Sequence, residues 1–223
     1  MRQIPLDIRP ATIPAFDNFV PGANAELIER LRHLATPMAF ESVYVWGELG
    51  SGRSHLLQAT AAVAARPVSV WRGADVGEDL PLPPGGLLIL DEVDRLSPQG
   101  QIALFRAINT ARLVGLALLL AGDAPPLHLA LREDVRTRIG AALIYQVQAL
   151  SDEEKAETLA RHARARGLRL EPETVAYLLR HGRRDLGSLL AVLEALDEQT
   201  LAQKRAASVA LVKEILAGLT PDN

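Results

Sequence analysis

The apolar stretch Val43-Tyr44-Val45-Trp46 runs directly into Gly47-Glu48-Leu49-Gly50-Ser51-Gly52-Arg53-Ser54, and His55-Leu56-Leu57-Gln58-Ala59 continues with a helical pattern. Strand, glycine-rich turn and helix in immediate succession make a phosphate loop. Its glycines let main-chain N–H groups turn inward around phosphate oxygens, and the helix N-terminus adds positive potential. Gly47, Gly50, Ser51 and Gly52 supply the turn, Ser54 offers a hydroxyl to Mg²⁺, and His55 follows in the first helical turn. One position departs from the pattern, because Arg53 stands where a lysine is expected. A lysine is a compact point charge that fits between β- and γ-phosphates, whereas arginine is wider and fixed in its donor geometry. Nucleotide binding is therefore expected to survive the exchange better than hydrolysis.

A loop of this kind needs a parallel sheet behind it. Short apolar runs at 42–46, 67–71, 86–90, 116–121 and 143–147 read as five strands. Helical patterns occupy 25–34, 54–65, 98–111 and 132–138, which predicts an α/β domain with a five-stranded parallel sheet. Residues 73–85, containing Pro81, Pro83 and Pro84, read as a loop. Beyond Ser151 the strand pattern stops and helices are predicted at 151–165, 172–181, 185–201 and 209–216. Ser151-Asp152-Glu153-Glu154 carries the capping-box spacing that opens the first of them. The expected organisation is a short N-terminal segment (1–10), a nucleotide-binding domain (11–150) and a small helical lid domain (151–223).

Leu87-Leu88-Ile89-Leu90-Asp91-Glu92 places two carboxylates at the end of an apolar strand, about 40 residues after the loop. In nucleotide hydrolysis the first of such a pair holds Mg²⁺ and the second polarises water, which assigns Asp91 to the metal and Glu92 to the water. Cysteine is absent, so thiolate nucleophiles and Cys-ligated metal sites are excluded. The longest near-apolar run, residues 115–122, is far short of the ~20 residues of a membrane helix. Residues 1–5 open no signal-peptide stretch, and a cytoplasmic protein without membrane contact is expected. The net charge is −3, with 13 cations against 15 carboxylates in residues 1–150 and 11 against 12 in 151–223. Neither part is basic, so DNA contact is expected to be indirect.

The order of these segments resembles the AAA+ ATPase family, in particular the DnaA-related group with its shortened, Hda-type members, over residues 16–217. Phe16-Asp17-Asn18-Phe19-Val20-Pro21-Gly22-Ala23-Asn24 is similar to the segment that opens the ATPase core and borders the adenine, which implies base contacts from Val20 and Pro21. Leu118-Leu119-Leu120-Ala121-Gly122-Asp123 falls where the family keeps its sensor 1 polar residue, here Asp123. Asp134-Val135-Arg136-Thr137-Arg138-Ile139 resembles the box VII segment, whose arginine reaches a neighbour's nucleotide; the match puts that role on Arg138, with Arg136 as the rival. Arg184-Asp185-Leu186 resembles the sensor 2 Arg-Glu-Leu of the lid, which assigns Arg184 to the nucleotide. Gln3-Ile4-Pro5-Leu6-Asp7-Ile8 looks like the peptide by which replication proteins dock on the DNA polymerase sliding clamp (its beta subunit), through Gln3, Ile4, Leu6 and Ile8.

The resemblance implies ADP (or ATP) with Mg²⁺ as cofactor, DnaA and the clamp as partners, and a homodimer as an allowed assembly. The DNA-reading domain that follows the DnaA core is not expected in a chain stopping at Asn223. The implied function is a nucleotide-binding regulator, not itself an enzyme, that stimulates hydrolysis of DnaA-bound ATP in trans through Arg138; weak intrinsic ATPase activity is allowed. The Asp91-Glu92 pair motivates an alternative, an autonomous ATPase or helicase-loading factor acting on single-stranded DNA. A nucleotide-free scaffold kept for protein contacts is the third reading.

Overall fold

The computed structural model describes residues 13–203 and 205–219; Gln3, Ile4, Leu6 and Ile8 of the clamp-type peptide lie outside them. In chain order the principal elements of the core are α1 (Ala25–Leu34), β1 (Ser42–Trp46), α2 (Arg53–Val63), β2 (Val68–Arg72), β3 (Leu87–Asp91), α3 (Pro98–Val114), β4 (Ala117–Gly122), α4 (Glu133–Gly140) and β5 (Leu143–Gln146). Helices α5 (Asp152–Ala165), α6 (Pro172–His181), α7 (Leu186–Gln203) and α8 (Val209–Leu219) follow. Single 3-10 turns punctuate the core, among them Phe16–Asn18 and Val93–Arg95.

All strand pairings are parallel and the order is β2-β3-β4-β1-β5. Alternation along the strands divides the core into two layers, since successive side chains point to opposite faces. Tyr44, Leu88, Leu90, Leu118 and Leu120 face α3 and α4, while Val43, Val45, Leu87, Ile89, Leu119 and Ala121 face α1 and α2. The chain leaving β1 crosses to β2 at the far edge, so the loop after β1 opens at a crevice above the carboxyl ends of the strands. Such a switch point is where open α/β sheets bind ligands.

Sequence and structure differ mainly at element ends. Pro67, read as the first residue of a strand, stays outside β2 because it has no N–H to give the ladder; its carbonyl accepts from the Leu87 amide at 2.8 Å. Helix α3 runs three residues further than its pattern indicated, to a left-handed Gly115 (φ 63°) whose N–H reaches the Ala111 carbonyl. Ser151 and Glu154 close the anticipated capping box, the Glu154 amide donating to Ser151 Oγ at 3.2 Å and the Ser151 amide to Glu154 Oε2 at 2.8 Å. The four C-terminal helices bury a core of their own around Leu159, Leu178, Leu193, Leu196, Leu211 and Ile215.

At the opposite end of the sheet from the loop, Arg66 is only 8% exposed. Its guanidinium donates to the carbonyls of Thr36, Ala39, Gly85 and Gly115, which are the chain segments entering β1, β3 and β4. A buried cation is tolerated here because its donors are occupied by fixed carbonyl dipoles. Arg66→Ala leaves several carbonyls without a donor and is expected to cost about 3 kcal/mol in urea denaturation. A loss below about 1 kcal/mol would contradict this role.

Candidate nucleotide site

The loop is shaped by two backbone conformations that only glycine adopts freely. Gly50 has φ 81° and Gly52 φ 98°. A methyl on Gly50 would lie 2.8 Å from Asp185 Cβ, and one on Gly52 would lie 2.6 Å from Phe19 Cε2. The loop is thus closed on by the lid from one side and by the N-terminal segment from the other. The amides of Arg53, Ser54 and His55 fall in the first turn of α2, where the helix supplies no acceptor, and no side chain caps it.

Between these parts lies a cleft of about 730 Å³. Its floor is Glu48 to His55, one wall is Asn18, Phe19 and Val20, and the other comes from Gln148 to Leu150, Lys155 of α5, and Leu186 and Leu190 of α7. Asn24 clips two of these pieces together: Nδ2 donates to the carbonyls of Pro21 and Gln148, and Oδ1 accepts from the Gln148 amide at 2.8 Å. His55 Nε2 lies 2.9 Å from the Ala15 carbonyl, and its ring stands 5.4 Å from that of Phe19, which fixes the N-terminal segment against α2.

The residues present fit a nucleotide. Ser51 Oγ is buried in the loop without a hydrogen-bond partner, and Gly47 leaves room that a methyl would fill against Ser51 Oγ (2.9 Å) and the Val147 carbonyl (2.8 Å). A hydroxyl with no partner among the described residues, beside first-turn amides that the helix leaves without acceptors, is an arrangement that an anion's oxygens satisfy. Ser54 Oγ donates to Asp91 Oδ2 at 2.6 Å, so the two residues expected at the metal are together. Among the described residues no group of three or more His, Cys, Asp or Glu side chains converges on a metal position. Mg²⁺ held by Ser54 and Asp91 would take its remaining oxygens from phosphate and water.

The other anticipated residues are placed differently. Arg53 Nη1 donates to the Gly122 carbonyl at the end of β4. Gly122 borders Asp94, which accepts from the Asp123 amide at 3.2 Å, and Tyr44, whose hydroxyl donates to the Ala124 carbonyl at 2.6 Å. Burial, then Asp94, pushes the Tyr44 phenol far above its ordinary value, with Arg53 pulling it down and Asp123 adding to the rise, so at neutral pH it remains a donor. The Asp123 side chain is exposed. Glu92 has the left-handed φ of 55°, and its carboxylate lies 3.8 Å from both Arg72 Nε and Arg95 Nη1, on the β2 side of the sheet. Its main chain comes so close to Gly73 that no side chain fits at that position. Pro21 and Arg184 do not line the cleft, and Arg184 is exposed at its rim. Arg138 ends α4 on another face: it is exposed, its guanidinium is 5.9 Å from the Phe105 ring centroid, and it makes no ion pair among the described residues. Sequence reasoning did not assign Leu150, Lys155, Leu186 and Leu190 to the cleft. They lie about 100 or more positions after the loop, and only the packing of the lid reveals them.

Domain III of the Thermotoga maritima initiator DnaA superposes with a TM-score of 0.73 at 16% identity, over 95% of this chain and 98% of that one. The DnaA initiator bound to AMPPCP and single-stranded DNA (TM-score 0.67, 19% identity, 86% of this chain and 68% of that one) and the Thermotoga maritima RuvB branch migration motor (0.68, 19%, 94% and 73%) share the fold. With the phosphate loop after β1, which lies between β4 and β5, and a helical lid over it, this architecture is that of an AAA+ P-loop NTPase. Residues 152–216 match the family described as "Hda, lid domain", and an uncharacterised protein of Haemophilus influenzae is 30% identical over 229 residues, spanning 96% of this chain and 98% of its own length. The chain belongs to the Hda-like, DnaA-related family of AAA+ proteins.

A ligand that binds only the folded chain raises its stability, by about 2.7 kcal/mol at one hundred times Kd. An added adenine nucleotide is therefore expected to raise the Tm of the parent, and Gly52→Ala to remove that rise, because the alanine meets both the positive φ and Phe19. A variant that keeps the parental shift in thermal melts would exclude the loop as the binding site.

Proposed function

We propose that this chain regulates DnaA-type replication initiation: it keeps a nucleoside diphosphate as a structural cofactor and offers Arg138 to the ATP held by a DnaA partner. The observation that carries this reading is the state of Arg138, which is exposed in the last turn of α4, without an ion pair among the described residues, and absent from the lining of its own cleft. A guanidinium in that position suits a neighbour's nucleotide, where its planar fork stabilises charge spreading over the transferring phosphoryl oxygens. Phe105, Thr137 and Ala141 border a shallow hollow beside it, a surface on which a partner can seat.

Weak turnover in the chain's own cleft follows from two restraints. Arg53 directs its charge to the Gly122 carbonyl, and Glu92 is shared between Arg72 and Arg95. The Ser54–Asp91 pair is the part that remains suited to holding Mg²⁺ with a bound phosphate. In this reading ADP sits with its phosphates over the loop amides and Ser51, and its base lies against Val20, Leu150 and Leu190. The DnaA structure that contains AMPPCP supports a nucleotide in this cleft. Recruitment would come from Gln3, Ile4, Leu6 and Ile8 docking on the sliding clamp, and DNA would then be contacted through the clamp.

An autonomous ATPase or helicase-loading factor would rest on the Ser54–Asp91 pair, but it requires Glu92 to leave both arginines. Arg72→Ala with Arg95→Ala is expected to raise the chain's own ATP turnover at least about threefold, and adding Glu92→Gln to remove that gain; unchanged turnover would refute the restraint. In assays of DnaA-bound ATP with clamp loaded on DNA, Arg138→Ala is expected to lower stimulated hydrolysis at least about 100-fold. Stimulation equal to the parent would end the proposed role of Arg138.

A further inference from the structure

We infer that the corner between α6 and α7 is a docking surface for the phosphate backbone of duplex DNA. Tyr177, Arg180 and His181 share one face of α6 at spacings of three and four residues. The His181 ring stacks on Tyr177 with centroids 4.1 Å apart and an interplanar angle of 26°, and Lys213 of α8 brings its Nζ 5.3 Å from the centroid of the same ring. The helix then stops at Gly182, where a methyl would lie 2.7 Å from the Leu178 carbonyl oxygen and 3.0 Å from Leu189 Cδ2. Arg183 and Arg184 follow that tight turn immediately in sequence. Four of the five residues from 180 to 184 are therefore cationic or titratable to a cation, all four exposed, and Lys213 adds a fifth such group.

The carboxylates nearby offset this corner only in part, Asp185 against Arg183. Asp185 lies 3.4 Å from Arg183 Nε, but its other oxygen accepts from the Ser188 amide at 2.8 Å as the cap of α7. Glu214, next to Lys213 in sequence, is held by both terminal nitrogens of Arg205 at 3.1 Å. Glu173, one turn before Tyr177, is the acid within α6 itself. Arg180 and Arg184 have no ion pair among the described residues. A local positive surplus thus stands on a chain whose net charge is −3.

Clustered guanidiniums fit phosphate oxygens, and neutralised phosphates release counterions, which gives sequence-independent, salt-sensitive binding. Duplex is favoured over single strand because single-strand sites stack bases on free aromatic faces, and Tyr177 is already occupied by His181 and Lys213. The inference does not depend on Arg138, and its test leaves Arg184, assigned above to the nucleotide, unchanged; a corner of this kind would add to the hold of a chain recruited near DNA.

The test is fluorescence anisotropy of the full chain with a short labelled duplex, titrated from about 50 to about 200 mM salt. The expected slope of log K against log[salt] is about −3 to −4, equivalent to about four phosphate contacts. Arg180→Glu with Arg183→Glu should weaken low-salt binding at least about tenfold and reduce the slope by about 2. Both changes are on exposed side chains, and an unaltered Tm verifies folding. Unchanged affinity in the double variant overturns the inference. So does tighter binding to the matching single strand, or binding to poly-glutamate rather than to duplex, which would mark the corner as a site for an acidic protein.

Discussion

Backbone contact without side chains is the constraint on which the rest of this molecule depends. At Gly50 and Gly52 the phosphate loop is approached so closely by Asp185 and Phe19 that a methyl fits at neither, and both residues hold a positive φ. Because the lid and the N-terminal segment meet at the loop, the cleft exists only when core, segment and lid are assembled. Asn24, hydrogen-bonded to both Pro21 and Gln148, ties the segment to the hinge that leads into α5. The interaction that shapes the anion cradle is also the one that positions the lid, so ligand occupancy and lid placement are physically linked.

Around that cradle the charges are divided between holding and turnover. On the proposed account the first-turn amides of α2, Ser51, Ser54 and Asp91 hold an anion and a divalent ion. Two groups that hydrolysis would use are engaged elsewhere, Arg53 with the end of β4 and Glu92 with Arg72 and Arg95. Glu92 also keeps a left-handed backbone, a conformation that persists in a non-glycine residue only where its surroundings impose it. Here the imposing contact is the Gly73 turn against its main chain. On the proposed account, the catalytic contribution of the molecule lies at Arg138, beside a hollow whose Asp134 is paired with Arg132 and with no ion pair to Arg138 among the described residues.

Most of the fold was legible in the sequence, because the strands are short apolar runs separated by helical patterns and the caps are local. Ser151 with Glu154 could be read from four residues, and the five strands from their composition. Element ends were less legible where a single residue decides them, as with Pro67 and Gly115. Within the site, the loop and the Ser54–Asp91 pair were readable because each follows from adjacent residues at the end of a strand. The destinations of Arg53 and Glu92 were not, since they depend on carbonyls and arginines that only the register of β2, β3 and β4 brings near. The lid wall of the cleft was hidden for the same reason: Lys155, Leu186 and Leu190 look like ordinary positions on amphipathic helices until α5 and α7 are placed over the loop.

The central claim is that the cleft retains a nucleotide instead of consuming one. Denaturing the freshly purified chain and identifying what it releases measures this most directly. The account predicts a nucleoside diphosphate in stoichiometric amount, still bound after exhaustive washing. A chain that releases nothing, or one that exchanges freely and converts added ATP steadily without a partner, would contradict it.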